Sequence, residues 1–349
     1  MKHRLVTLDA LRGLAALVVL LFHFQVNGVI SAYGYLAVDF FFILSGFVIA
    51  RTFDARLATD MSFRRFVALR VIRIYPLFLV GLAVGFIRSC SYLALNRPGA
   101  LTIAQVLDAG SFELFMLPSL VTRNLFVLNA PSWSLFFEMA VNFVYAAFLF
   151  RARTRTLVLT ICVFAVALVC TAWANGTVGV GNEWSTSYGG VARTGFSFVS
   201  GMLISRLNKS SITARWIAII PMVALVACLM APPMPSRVLF DLLVVMVVSP
   251  VLIYIGASVN PPVALQPVSK LLGELSYPVY AIHYPLMFLY LYFAKRAGIG
   301  PAWQLAGFIG LVGVLAWLLN KYFDIPVRRW LTARLGRSPA IAVSEPLAR

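Results

Sequence analysis

The sequence predicts an all-α fold, a polytopic membrane bundle of about ten transmembrane helices with both termini cytoplasmic. Three observations lead there. Hydrophobic residues make up 61% of the 349 and charged residues 12%, with a mean hydropathy of +0.90. A soluble protein of this balance could not cover its surface with polar groups, so a bilayer must cover it. Three long stretches (156–182, 216–236 and 297–320) carry no Asp, Glu, Lys or Arg at all. The basic residues, finally, cluster at alternate ends of the apolar segments.

Taken in order, the first helix lies near 11–30, behind Lys2, Arg4 and Arg12. The second, near 34–51, runs into Arg51, Arg56, Arg64, Arg65, Arg70 and Arg73, and the third follows at 74–95. Between them, 55–71 sets Phe63, Phe66, Val67 and Leu69 among arginines, the pattern of an amphipathic helix lying on the inner surface. The fourth (132–150) precedes Arg151, Arg153 and Arg155, and the fifth (156–174) returns. The sixth (188–206) ends at Arg206, Lys209 and Arg215. The seventh, eighth and ninth fall near 215–231, 238–255 and 275–294. The tenth (301–320) leads into Lys321, Arg328, Arg329, Arg334 and Arg337. Each of these clusters is cytoplasmic if both termini are inside and ten helices cross, although Lys295 and Arg296 then fall outside. The longest outer connections are 96–111 and 176–187. Residues 1–335 read as one membrane domain and 336–349 as a short disordered tail.

The net charge of +17 therefore reflects topology, with basic loops beside anionic lipid, and not a nucleic-acid partner. Cys90, Cys162, Cys170 and Cys228 are scattered, with neither metal spacing nor a disulfide framework. The first apolar segment is too long for a cleavable signal and feeds directly into a second span.

Ionisable groups inside apolar segments are costly and by default functional. Arg12 and His23 share one face of the first helix, because eleven residues make almost three turns, and stand roughly 16 Å apart along the axis. Alternating direction places His23, Asp39 and Glu138, on three different helices, within roughly the outer 7–10 Å of the membrane. Ser134, Glu138, Asn142 and Tyr145 form a stripe on the fourth helix. Ser276, Tyr280, His283 and Met287 form another on the ninth. Both must face the bundle interior, since hydrocarbon offers no partners. Arg12, Arg51, Arg70 and Arg73 gather at the inner boundary, where paired guanidinium forks suit phosphate oxygens. Plainer roles remain open: His283 as a bond between helices, Asp39 as a helix-start acid, Glu138 paired with Arg193, and the arginines as topology signals.

The phrases that hold these residues resemble the acyltransferase 3 family of integral membrane O-acyltransferases. LDALRGLAALVVLLFHF, with Arg12 and His23, is similar to that family's first-helix signature. GYLAVDFFFILSGFVIA (34–50) resembles its second helix, and RVIRIYP (70–76) its Arg-x-x-Arg element. PSWSLFFEMA (131–140) matches its Ser-Trp-Ser-Leu-x-x-Glu element, and LGELSYPVYAIHYPL (272–286) its late Ser-Tyr/His segment. The resemblance runs in order from residue 5 to about 335.

It implies transfer of an acyl group, commonly acetyl, from cytoplasmic acyl-CoA to a hydroxyl of a carbohydrate or glycoconjugate, often in polysaccharide biosynthesis. Acyl-CoA is then a co-substrate, with no permanently bound cofactor and no metal. The partners are the bilayer, acyl-CoA and a carbohydrate or glycolipid acceptor, in a bacterial inner membrane. Some relatives carry an added esterase-like soluble domain, which is not expected in this chain. On this footing His23 is the expected general base, Glu138 its orienting carboxylate or a second proton carrier, and Asp39 a supporting member. Arg12, Arg70 and Arg73 would take the phosphates of CoA. Trp133, Ser134, Tyr277 and His283 would shape the acceptor pocket. A proton-coupled transporter built on the same buried His, Asp and Glu groups is the alternative, since such groups suit proton relay equally well.

Overall fold

The computed structural model describes residues 4–24, 30–208 and 211–336. It is 79% helical, and the described residues hold no strand beyond one bridge between Asn124 and Glu183. In chain order the helices are α1 (Val6–His23), α2 (Ala37–Thr59), α3 (Phe63–Ala94), α4 (Ile103–Glu113) and α5 (Ser132–Ala147). Then come α6 (Thr154–Asn175), α7 (Ser187–Leu207), α8 (Ile219–Leu229), α9 (Arg237–Leu243) and α10 (Ser249–Ser258). The last are α11 (Gln266–Arg296), α12 (Pro301–Leu319) and α13 (Ile325–Arg334). Among the described residues six helical runs are long and apolar enough to cross a membrane: Val6–His23, Gly34–Thr59, Phe63–Ala94, Thr154–Asn175, Arg237–Ser258 and Pro301–Arg334.

Each of the ten expected segments falls on helix, but several boundaries move. α1 ends at His23 instead of near residue 30; Phe24 leaves the helical region and 25–29 lie outside the described residues. The separate surface helix expected over 55–71 does not form. Arg51 and Arg56 are good helix formers whose guanidinium groups lie over Phe47 and Phe53, so α2 continues to Thr59. Ser62 then accepts from Arg65 N–H as an N-cap, and α3 runs unbroken from Phe63, through Pro76, to Ala94. The connection expected at 96–111 contains α4, opened by a capping box of Thr102 and Gln105. A π-helical turn joins α9 to α10 (244–248) and another joins α12 to α13 (320–324). The tail expected to be disordered lies, except for Gly336, outside the described residues.

Helices in lipid gain little from hiding apolar surface, so close backbone approach and polar pairs must hold them together. The α2–α7 pair uses both. Arg193 Nη2 lies 2.7 Å from Asp39 Oδ2 near one end, and Arg206 Nε 3.3 Å from Asp54 Oδ2 near the other. Between these clamps Gly46 and Gly201 let the backbones touch. A Cβ on Gly46 would sit 2.0 Å from the Phe198 carbonyl oxygen, and one on Gly201 2.0 Å from that of Ile43. α1 and α11 form the second close pair: a Cβ on Gly13 would meet Leu272 at 2.4 Å, and one on Gly273 would meet Asp9 at 2.6 Å. They run parallel, since Arg12 bonds the Gly273 carbonyl near their beginnings and His23 bonds His283 eleven and ten residues later.

Gly46→Ala should destabilise the fold by about 1–3 kcal/mol through overpacking, read as a lower melting temperature in detergent. Gly310→Ala, in a helix where an added Cβ meets nothing within 4 Å, should leave the melt unchanged or raise it.

Candidate functional site

α1, α2, α3, α5 and α11 surround a cavity of ≈ 200 Å³. Its polar wall is Arg12, Ser45, Arg70, Arg73, Ser134, Glu138, Ser276, Tyr277 and Tyr280. α2 gives it one apolar side, including Val38, Phe41, Phe42 and Val48. The helical period explains this face: 38, 41, 45 and 48 recur at three and four residues.

Each charged group is held differently. Arg12 Nε donates to Ser276 Oγ at 2.8 Å and Nη2 to the Gly273 carbonyl at 2.5 Å, with Asp9 Oδ1 3.4 Å away. Arg70 Nη2 donates to Glu138 Oε1 at 3.1 Å, and Ser45 Oγ–H donates to the same oxygen at 2.8 Å. The buried Arg70 Nε has no hydrogen-bond partner among the described residues. Arg73 lies 5.8 Å over the Tyr277 ring and makes no ion pair among the described residues. Tyr277 in turn donates its hydroxyl to the Ile74 carbonyl, one residue beyond Arg73. Three guanidinium groups thus face one carboxylate. The cavity has an excess of positive charge, the condition for holding an anion.

Beyond Tyr280 lies a second cluster. Tyr280 Oη and Ser134 Oγ are 2.6 Å apart, and the Tyr280 ring centroid is 5.8 Å from that of His283. His283 Nε2 is 3.1 Å from His23 Nδ1. Phe22 and Tyr284 present their rings edge-on to His23, each with centroids 5.1 Å away. The cavity and the imidazole pair are therefore neighbours with Tyr280 between them.

Several expectations need correction against this geometry. The His23–Glu138 contact is not made. Glu138 sits on the level of Arg70, and a charge-assisted bond to a guanidinium outweighs one to a neutral imidazole. His23, the last residue of α1, turns to α11 instead. Glu138 does not pair with Arg193 either, because Arg193 is taken by Asp39 through Nε and Nη2, with both side chains essentially inaccessible. Asp39 consequently does not line the cavity; it anchors α7. Trp133 also lies off the cavity, with its ring 5.2 Å from the Arg193 guanidinium as a lid on that ion pair. His283 is buried with both ring nitrogens engaged, so it offers no atom to an acceptor. Ser134 and Tyr277 do line the cavity, as do Arg12, Arg70 and Arg73. Ser45 was not singled out by sequence; its only signal was a small polar residue beside Gly46 on an apolar helix.

The profile of the acyltransferase 3 family, described as an acyltransferase domain, matches residues 5–321. The chain belongs to this family. It is thus a membrane acyltransferase, and the transporter alternative is set aside. This acyltransferase is also similar to "Protein 2 in picA locus" of Rhizobium radiobacter, 35% identical over 181 residues, which cover 48% of this chain and 95% of that one. No solved structure shows a significant match to it.

Removing Asp39 alone should strand the Arg193 charge and destabilise the enzyme by about 3–5 kcal/mol. Asp39→Leu combined with Arg193→Leu should recover part of that loss, as measured by thermal melts of the purified variants. A double variant no more stable than Asp39→Leu would contradict an anchoring role.

Proposed function

We propose that the enzyme moves an acyl group, acetyl in the simplest case, from acyl-CoA to a hydroxyl of a carbohydrate or glycoconjugate. The observation that carries this reading is the cationic cavity, in which Arg12, Arg70 and Arg73 face a single carboxylate and Arg73 makes no ion pair among the described residues. CoA is polyanionic, and planar guanidinium forks bind phosphate oxygens in pairs. In this reading ten helices cross a bacterial inner membrane, both termini are cytoplasmic, and the cavity is loaded from that side. The clustering of Lys and Arg at alternate ends of the apolar segments supports it.

The acyl carbon then lies past Tyr280, near His23. The acceptor hydroxyl attacks the thioester carbonyl as His23 takes its proton; a C–O bond forms and the C–S bond breaks. The proton passes from the imidazolium to the departing CoA thiolate, which leaves the enzyme unchanged. An imidazole nitrogen can accept a proton and hand it on again, which suits this two-way traffic. Glu138 acts on the other substrate, holding Arg70 toward the phosphates while Ser45 holds the carboxylate. Asp39 and Trp133 contribute by fixing α7.

His23→Ala should fold yet lose CoA release from labelled acetyl-CoA, in the presence of an acceptor panel, by about 10²–10⁴. Arg70→Ala with Arg73→Ala should raise the KM for acetyl-CoA while the melting temperature stays near wild type. Unchanged KM in that double variant would mean that these arginines only set topology.

A further inference from the structure

His283 is a buried imidazole that touches neither the cavity nor any charged side chain, yet both of its nitrogens are committed. Its Nδ1 is 2.9 Å from the Tyr280 carbonyl oxygen and 3.1 Å from that of Val279. A nitrogen facing two carbonyl oxygens must carry the proton, because two lone pairs repel. In a neutral ring Nε2 is then the lone pair, and it lies 3.1 Å from His23 Nδ1. His23 Nδ1 also lies 2.9 Å from the Val19 carbonyl oxygen, which accepts and never donates. Both neighbours of His23 Nδ1 are acceptors, so that nitrogen must hold the proton of His23. The lone pair of His23 is left on Nε2, which has no hydrogen-bond partner among the described residues.

We propose that His283 is a positioning residue that fixes the tautomer and orientation of the His23 ring, so that Nε2 of His23 is presented as the free base. This rests on the reading of His23 as the proton acceptor and assigns the atom that does it. His283 does for His23 what a carboxylate does for the histidine of a hydrolase triad, with one difference: it brings no charge. The Val19 carbonyl cannot do this alone, because it is also the helical acceptor of its own turn and leaves the ring free to swing. The order of proton positions runs one way, from the α11 carbonyls through His283 to His23, and ends at the vacant nitrogen.

The chain has three histidines, at positions 3, 23 and 283, which makes the assignment directly observable. Full-length protein labelled with ¹⁵N-histidine should give ring correlations for His23 with the proton on Nδ1 and none on Nε2, assigned by its loss in His23→Ala. His283→Asn removes the acceptor. It should mix the tautomers of His23 and lower kcat about 10–100-fold, with the KM for acetyl-CoA little changed. His283→Gln, whose Oε1 reaches the Nε2 position, should restore both the Nδ1–H signal and most of kcat. A wild-type spectrum with the proton of His23 on Nε2 overturns the proposal, whether or not His283→Asn folds. So does a His283→Asn variant with wild-type ring signals and kcat. Full turnover in His23→Ala would instead sink the base assignment, while the ring signals still report whether His283 orients its neighbour.

Discussion

The bundle depends on one constraint: a polar group taken into hydrocarbon must find its partner on another helix. α2 and α7 meet it with an ion pair at each end, Asp39–Arg193 and Asp54–Arg206, and with two glycines between. The pair thereby behaves as a plate. One face of α2 is fastened to α7 and the opposite face supplies Val38, Phe41, Ser45 and Val48 to the cavity. What looked in isolation like a catalytic aspartate is the bolt that keeps this wall in place. Trp133, in the first turn of α5, lies with its ring over the Arg193 guanidinium and covers the bolt.

Much of this was legible in the chain. Apolar length and the placement of Lys and Arg located the helices, because both follow from a property of the solvent and need no tertiary information. The inward stripe on α11 was legible for a similar reason, since Ser276, Tyr280 and His283 share a face that lipid cannot satisfy. Pairings were not. Nothing local distinguishes Asp39 from Glu138 as the mate of Arg193; the choice is made by which helices adjoin and at what height. The end of α1 was placed too far along because Phe24 continues the apolar run, and hydropathy alone does not mark where a helix ends. The surface helix before α3 failed likewise, since arginine stems that lie on Phe47 and Phe53 read as a boundary when they are part of a continuing helix.

Membership of the acyltransferase 3 family and the geometry speak to different parts of the protein. The family match spans residues 5–321 and fixes the class of reaction. The geometry separates the conspicuous residues into two neighbourhoods, one crowded with guanidinium and one built of two imidazoles. In the proposed reading the first holds phosphates, which charge favours, and the second abstracts a proton, which exclusion of water favours. Tyr280, bonded to Ser134 and packed on His283, divides the two.

The parallel packing of α1 on α11 has a further consequence for how such a protein can change over time. The two neighbourhoods are mounted on the same pair of rods, so their separation is counted in residues of helix and not adjusted by side chains. Inserting one residue between Arg12 and His23 would lengthen the gap by only about 1.5 Å but swing the imidazole by about 100°. Tolerable length changes therefore come in steps of about one whole turn, roughly 5.4 Å, and must occur in both rods together. A drifting lineage can repaint the walls of this chamber freely, but it can restretch the chamber only by leaps.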